Sequence, residues 1–90
     1  MTITVRLHPL LQKLAGGCEA VEVTGRTTGE CLEQVEGHFP DVRRLIRDKR
    51  GQLRRYCEIL VNSESANTGG LGTLVRDGDQ IDIVVLITGG

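Results

Sequence analysis

Gln80-Ile81-Asp82-Ile83-Val84-Val85-Leu86-Ile87-Thr88-Gly89-Gly90 is the stretch on which the reading of this chain turns. It begins as an alternating strand, with Ile81 and Ile83 set against Gln80 and Asp82. It then becomes continuously apolar to Ile87, as expected of a strand passing into the middle of a sheet. The diglycine after it has no side chain to bury. Residues 87–90 are expected to form a flexible tail that carries its carboxylate away from the domain. Upstream, Asp77-Gly78-Asp79 is a strong turn signal that starts the strand cleanly.

At the other end of the chain, Thr2 to Leu7 alternates in the same way, with Ile3, Val5 and Leu7 on one side. A loop containing Pro9 and Gly16-Gly17 follows. Cys18 to Thr24 reads as a second strand returning antiparallel, its register open between Cys18 and Ala20 inward and Val21 and Val23 inward. Thr27-Thr28-Gly29-Glu30 fits a helix-starting capping box, in which the Thr27 hydroxyl accepts from the amide of residue 30 and Glu30 reaches back. The helix it opens carries Cys31, Leu32, Val35 and Phe39 on one stripe, with Glu30, Glu33, Gln34 and Glu36 expected to face water. Pro40 ends it. A short second helix over about Asp41 to Asp48 would turn Val42, Leu45 and Ile46 inward.

Tyr56 to Val61 is a third strand, closed by the turn-prone Asn62-Ser63-Glu64-Ser65. Gly69-Gly70-Leu71-Gly72 lacks the Gly-Lys-Ser/Thr of a phosphate loop and reads as a turn. The order strand, strand, helix, strands predicts an α+β domain: one sheet with its main helix on one face. If the last strand lies beside the first in parallel, it fills the middle of that sheet. At 90 residues the chain holds one domain.

Composition removes several function classes. The chain is 39 % hydrophobic, 26 % charged and carries a net charge of −1. No apolar run approaches the roughly 20 residues of a membrane span, and the charged N-terminus does not resemble a signal peptide. Three cysteines (Cys18, Cys31 and Cys57), with no C-x-x-C and no histidine at ligand spacing, argue against a disulfide framework and a metal site. Cys31 and Cys57 are expected to be small core residues, and Cys18 more exposed. A cytoplasmic location follows as the expectation. His8 and His38 stand alone, without a partner for catalysis.

These residues resemble the ubiquitin-like sulfur carriers of the MoaD/ThiS type. The resemblance rests on the strand-loop-Gly16-Gly17-strand opening, the Thr27-Thr28-Gly29-Glu30 helix start, and Val61-Asn62 closing a strand. It continues through Gly69-Gly70-Leu71, Leu74 ahead of Asp77-Gly78-Asp79, and the final Gly89-Gly90. Within the family the chain is similar to the carriers that feed cysteine biosynthesis, through Gly51-Gln52-Leu53-Arg54-Arg55-Tyr56 and Gly69-Gly70-Leu71 followed by Thr73. The family's proline near the tail is absent. Val85 or Leu86 stands there, which suggests a longer strand in place of a kink.

The resemblance implies a β-grasp fold over residues 1–90, a mixed sheet of four to five strands, and a non-enzymatic role, free-standing or as the small subunit of a synthase complex. It implies that the Gly90 carboxylate is adenylated by an E1-like enzyme using Mg-ATP, the chain itself binding no cofactor. Sulfide or a persulfide then converts it to a thiocarboxylate for a sulfur-accepting synthase in a cysteine, molybdopterin, tungstopterin or thiamine route. Ile87, Thr88 and Gly89 would lie at the mouth of the partner's channel, where an extended strand adds main-chain hydrogen bonds.

Seven of the eleven Lys and Arg residues fall between Arg43 and Arg55, opposed in that stretch only by Asp48. Arg43, Arg44, Arg47, Arg50, Arg54 and Arg55 are thus candidates for partner docking, although a solvated helix-to-strand junction produces such runs more often. Two other functions share parts of this pattern. A ubiquitin-like modifier would join Gly90 to a lysine amine, and a basic nucleic-acid-binding module would depend on the arginines and not on the tail. Only Phe39 and Tyr56 are aromatic, so nucleic acid is not the expected partner.

Overall fold

The computed structural model describes residues 2–65 and 70–86. Ile3–Leu7 forms β1, Pro9–Leu14 α1, Ala20–Val23 β2, Thr28–His38 α2, Pro40–Ile46 α3, Cys57–Val61 β3, Glu64–Ser65 β4 and Gln80–Val85 β5. A single 3₁₀ turn spans Gly70–Gly72. The five strands make one mixed sheet in the order β2-β1-β5-β3-β4. β5 pairs in parallel with β1 (Val5 opposite Ile81, Leu7 opposite Ile83) and antiparallel with β3 (Ile59 opposite Ile83, Cys57 opposite Val85). This is the β-grasp arrangement, with the last strand at the centre.

The period-two pattern of the strands survives as one buried face. Ile3, Val5, Leu7, Val23, Ile59, Ile81, Ile83 and Val85 are all under 9 % exposed and meet Leu32, Val35, Val42 and Ile46 from the helices. Each such side chain contributes about 1.5–3 kcal/mol of burial, the scale on which a chain this short depends. In β2 it is Val23, with Val21 half-buried, that faces this core, while Ala20 is exposed. That settles the register left open by the sequence, and Cys18 lies before the strand.

Each residue of Thr27-Thr28-Gly29-Glu30 has its own work. The Thr27 hydroxyl accepts from the Glu30 amide at 3.1 Å; no return bond from Glu30 is formed among the described residues. Thr28 is fully buried and donates its hydroxyl hydrogen to the Gly70 carbonyl at 2.8 Å. A Cβ at Gly29 would lie 2.9 Å from the Leu71 carbonyl oxygen, so glycine here permits the helix start to press onto the 3₁₀ turn.

Several expectations are corrected. The loop around Pro9 contains α1, whose start is capped by His8: its Nδ1 accepts from the Leu10 amide at 3.1 Å, and Pro9 stands where a missing N–H costs nothing. Only Leu11 of that six-residue helix is buried, too little for a period to be read. Pro40 ends α2 and also begins α3, which stops at Ile46 and not at Asp48. Asn62 and Ser63, at φ of 50° and 70°, make a two-residue hairpin turn, so Glu64–Ser65 is a short edge strand. β5 ends at Val85 and Leu86 stands outside it; Ile87, to which the longer strand was expected to run, lies outside the described residues.

Glu36, expected on the wet face, is 7 % exposed. Its carboxylate accepts from Arg47 Nε at 2.5 Å, and Arg47 also donates to the Gly51 carbonyl at 2.8 Å. The pair ties the end of α2 to the residue that follows α3.

The Asp77-Gly78-Asp79 turn ties three strands together. The Asp77 carboxylate accepts from the Thr2 amide at 2.6 Å. Asp79 accepts from Asn62 Nδ2 at 3.0 Å and from the Arg76 amide at 2.7 Å. Asn62 Oδ1 in turn accepts from the Gln80 amide at 3.0 Å. The Asn62 bond, then that of the Arg76 amide, holds the Asp79 carboxyl below the usual carboxylate range.

Two outcomes follow. Removing one member of the buried pair, by Arg47→Met, should cost about 3–5 kcal/mol in urea unfolding, while the double variant Glu36→Leu/Arg47→Met should recover most of that loss; additive losses would count against burial of the charge as the cause. Asp79 is lowered on folding, so its contribution is present above the unfolded carboxyl pKa of about 3.9 and disappears as pH falls through the lower folded value. The stability gap between the native chain and Asp79→Asn should therefore be constant from about pH 7 to 5 and close below about pH 4; a gap independent of pH would refute it.

Candidate functional site

Ile87, Thr88, Gly89 and Gly90, the residues expected to carry the chemistry and its immediate contacts, lie outside the described residues. What is described is the root from which they continue. Val85 is buried opposite Cys57, and the Leu86 N–H donates to the Tyr56 carbonyl at 2.6 Å, while the Leu86 side chain is 49 % exposed. Tyr56 is itself fixed, its hydroxyl donating to the Leu45 carbonyl at 2.5 Å. β5 stops here because both neighbours stop. β1 ends at Leu7, one residue before the cap of α1, and the chain before β3 turns away at Arg54, whose carbonyl accepts from the Cys57 amide at 2.9 Å.

The segment from Arg47 to Tyr56 is braced along its length. Arg47 and Leu53 form an isolated antiparallel bridge, the Asp48 amide donates to the Gln52 carbonyl at 2.8 Å, and the Arg54 amide donates to the Ile46 carbonyl at 2.9 Å. Asp48 Oδ1 accepts from the amides of Arg50 and Gln52 at 2.8 and 3.0 Å. Gly51, at φ of +80°, makes the reversal that this bracing needs.

The structure divides the six arginines proposed for docking. Arg47 is consumed by Glu36, and Arg44 pairs with Asp41 at 3.1 Å. The cluster is therefore opposed by Glu36 and Asp41 from the helices, and not by Asp48 alone. Arg43 and Arg54, with Lys49, line a hollow of about 380 Å³ beside this pair, while Arg50 and Arg55 are exposed on the same loop. Lys49, counted in the basic run, was not among the docking candidates, and sequence reasoning missed Tyr56 as the clamp on the tail root.

The other reactive side chains are engaged elsewhere. Cys31 is fully buried, and burial first, then the Glu30 carboxylate, pushes its thiol pKa up. Cys57 is half-buried, not fully in the core; burial raises its thiol pKa against the opposing pull of Arg54. Cys18 is also half-buried and donates to the Ala20 carbonyl at 3.2 Å. His8 caps α1, and His38 is exposed at the end of α2. Among the described residues no three His, Cys, Asp or Glu side chains gather as a metal site would require, and no helix is long and apolar enough to cross a membrane. The open sheet face carries an Arg6–Asp82 pair at 3.5 Å beside the apolar Leu60 and Val84.

Comparison with known proteins agrees with this geometry. The ThiS family model matches residues 5–90. The chain is 31 % identical over 93 aligned positions to the sulfur carrier protein CysO of Mycobacterium tuberculosis, with all of both chains covered. CysO in the Amycolatopsis orientalis BexX/CysO complex superposes with a TM-score of 0.87 at 30 % identity, over 98 % of this chain and 99 % of that one. SAMP1 from Haloferax volcanii, a small archaeal modifier protein, superposes with a TM-score of 0.89 at 25 % identity over the whole of both chains. With its central last strand and a match that runs to Gly90, the chain belongs to the ThiS family and is a sulfur carrier protein of the CysO/ThiS type.

Proposed function

We propose that the Gly90 carboxylate is the working group, activated by an E1-like adenylating enzyme and converted to a thiocarboxylate whose sulfur enters cysteine biosynthesis. The observation that carries this reading is the full-length similarity to the sulfur carrier CysO, in a match that extends to Gly89-Gly90. A carboxylate is a poor electrophile, and this is what the adenylation answers. One carboxylate oxygen attacks the α-phosphorus of Mg-ATP and pyrophosphate leaves, giving an acyl-adenylate. Sulfide then adds to the acyl carbon, the C–O bond to AMP breaks with its electron pair going to AMP, and loss of a proton leaves the thiocarboxylate. A persulfide donor places its terminal sulfur on the same carbon, and a second thiol then cleaves the S–S bond.

The chain's part is presentation. A clamped root at Val85 and Leu86 fixes where the tail departs. Two residues without Cβ permit backbone angles closed to others and passage through a narrow channel. The acceptor is a partner synthase; in the Amycolatopsis complex, CysO is bound by BexX. The likeness to SAMP1 supports a second use of the same acyl-adenylate, in which a lysine amine attacks in place of sulfide and forms an isopeptide.

Gly90→Ala should lose loading by the adenylating enzyme while melting at the native temperature, as should a chain with one residue appended after Gly90. Normal loading of either would refute the role of Gly90. Intact mass of the chain isolated from cells separates the two uses: exchange of one oxygen for sulfur supports the carrier, and conjugates to many proteins support the modifier.

A further inference from the structure

The tail's short reach limits where its partner can sit, and this inference rests on the reading that a partner enzyme activates Gly90. Four residues follow Leu86, and fully extended they span at most about 14 Å. The mouth of the activating site must therefore come within that distance of Leu86, and the partner's surface around the mouth must cover the ground beside the tail root.

That ground is basic. Tyr56, whose carbonyl holds the Leu86 amide, is preceded directly by Arg54 and Arg55. Two residues of chain place the Arg54 backbone within about 7 Å of that of Tyr56. Beside it, Arg43, Lys49 and Arg54 open onto the hollow of about 380 Å³, whose lining also holds the ion-paired Arg44 and Arg47 and one carboxylate, Asp48, engaged by the amides of Arg50 and Gln52. None of Arg43, Lys49, Arg54, Arg50 and Arg55 has a carboxylate within ion-pair distance among the described residues, and Arg54 Nε has no hydrogen-bond partner there. In a chain of net charge −1 this cluster is a local excess of cation.

We propose that Arg43, Lys49 and Arg54, rimmed by Arg50 and Arg55, dock onto carboxylates that surround the active-site mouth of the adenylating enzyme. Guanidinium groups pair with carboxylates through two parallel hydrogen bonds, and charges spread over a loop suit a protein rim better than one point ligand. Nucleic acid is disfavoured because the chain's two aromatic rings, Phe39 and Tyr56, are partly buried and packed against the core, not presented as a stacking platform. The interaction steers encounter and leaves the chemical step to the partner.

The test is Gly90-dependent ATP–pyrophosphate exchange by the adenylating enzyme, measured across a salt series. Arg43→Glu/Lys49→Glu/Arg54→Glu should raise KM for the carrier at least about 10-fold, leave kcat within about 2-fold, and flatten the salt dependence of kcat/KM. Because Arg54 is partly buried, Arg43→Glu/Lys49→Glu, at two exposed positions, is the second variant, with KM raised about 3-fold and an unchanged melting temperature expected. Unchanged KM and salt slope in both variants would overturn the docking surface while leaving the role of Gly90 intact. Binding of single-stranded RNA or inorganic phosphate through these residues, with exchange unaffected, would overturn it too. Absence of Gly90-dependent exchange in the native chain would remove the functional reading and this inference together.

Discussion

The parallel pairing of β5 with β1 is the constraint on which the rest of this structure depends. Parallel neighbours cannot be joined by a tight turn. After β2 has returned antiparallel beside β1, the chain leaves at Val23 and does not come back to β1 until Gln80, so α2, α3, β3 and β4 all lie within that one excursion. β5 then takes hydrogen bonds from both sides, and its inward residues Ile81, Ile83 and Val85 lie at the middle of the core. This last described strand is thus among the most firmly held parts of the fold, and whatever follows Leu86 starts from a fixed point.

Elements that repeat a period over several residues were readable from sequence, and those that do not were not. β1, α2 and β5 each place three or more apolar residues at the spacing their geometry requires. α1 buries Leu11 alone, and β4 is two residues long, so neither offers a period. The end of β5 was misjudged for a different reason. Val84, Val85, Leu86 and Ile87 are all good strand residues, but a strand continues only where a neighbour continues, and the turn from Arg54 to Cys57 takes that neighbour away. Ends of strands are tertiary facts.

Glu36 shows the converse error, because its position was legible and its residue type obscured it. It stands four residues after Leu32 and one after Val35, on the edge of the apolar stripe, and the helical period alone would have turned it inward. A carboxylate there needs a buried partner, and Arg47 supplies one. Counting charges along residues 43–55 treats all seven cations alike. The fold instead makes two of them structural and gathers others near the tail root, which is why the basic run is both less and more than it looked.

The placement of the thiols bears on what a carrier must avoid. On the proposed reading Gly90 passes through an acyl-adenylate, which any nearby thiolate would attack to form a dead-end thioester. Cys57 is the cysteine opposite Val85, and it shares the inward face of β3 with Ile59 and Val61. Its surroundings favour the neutral thiol, since burial outweighs the pull of Arg54. Cys31 is enclosed completely, and Cys18 lies ahead of β2, the strand at the far edge of the sheet. On that reading the domain would carry a reactive carbonyl on Gly90 while the thiol nearest the tail root is turned inward, in surroundings that favour its protonated form, so that the sulfur would have to come from the partner.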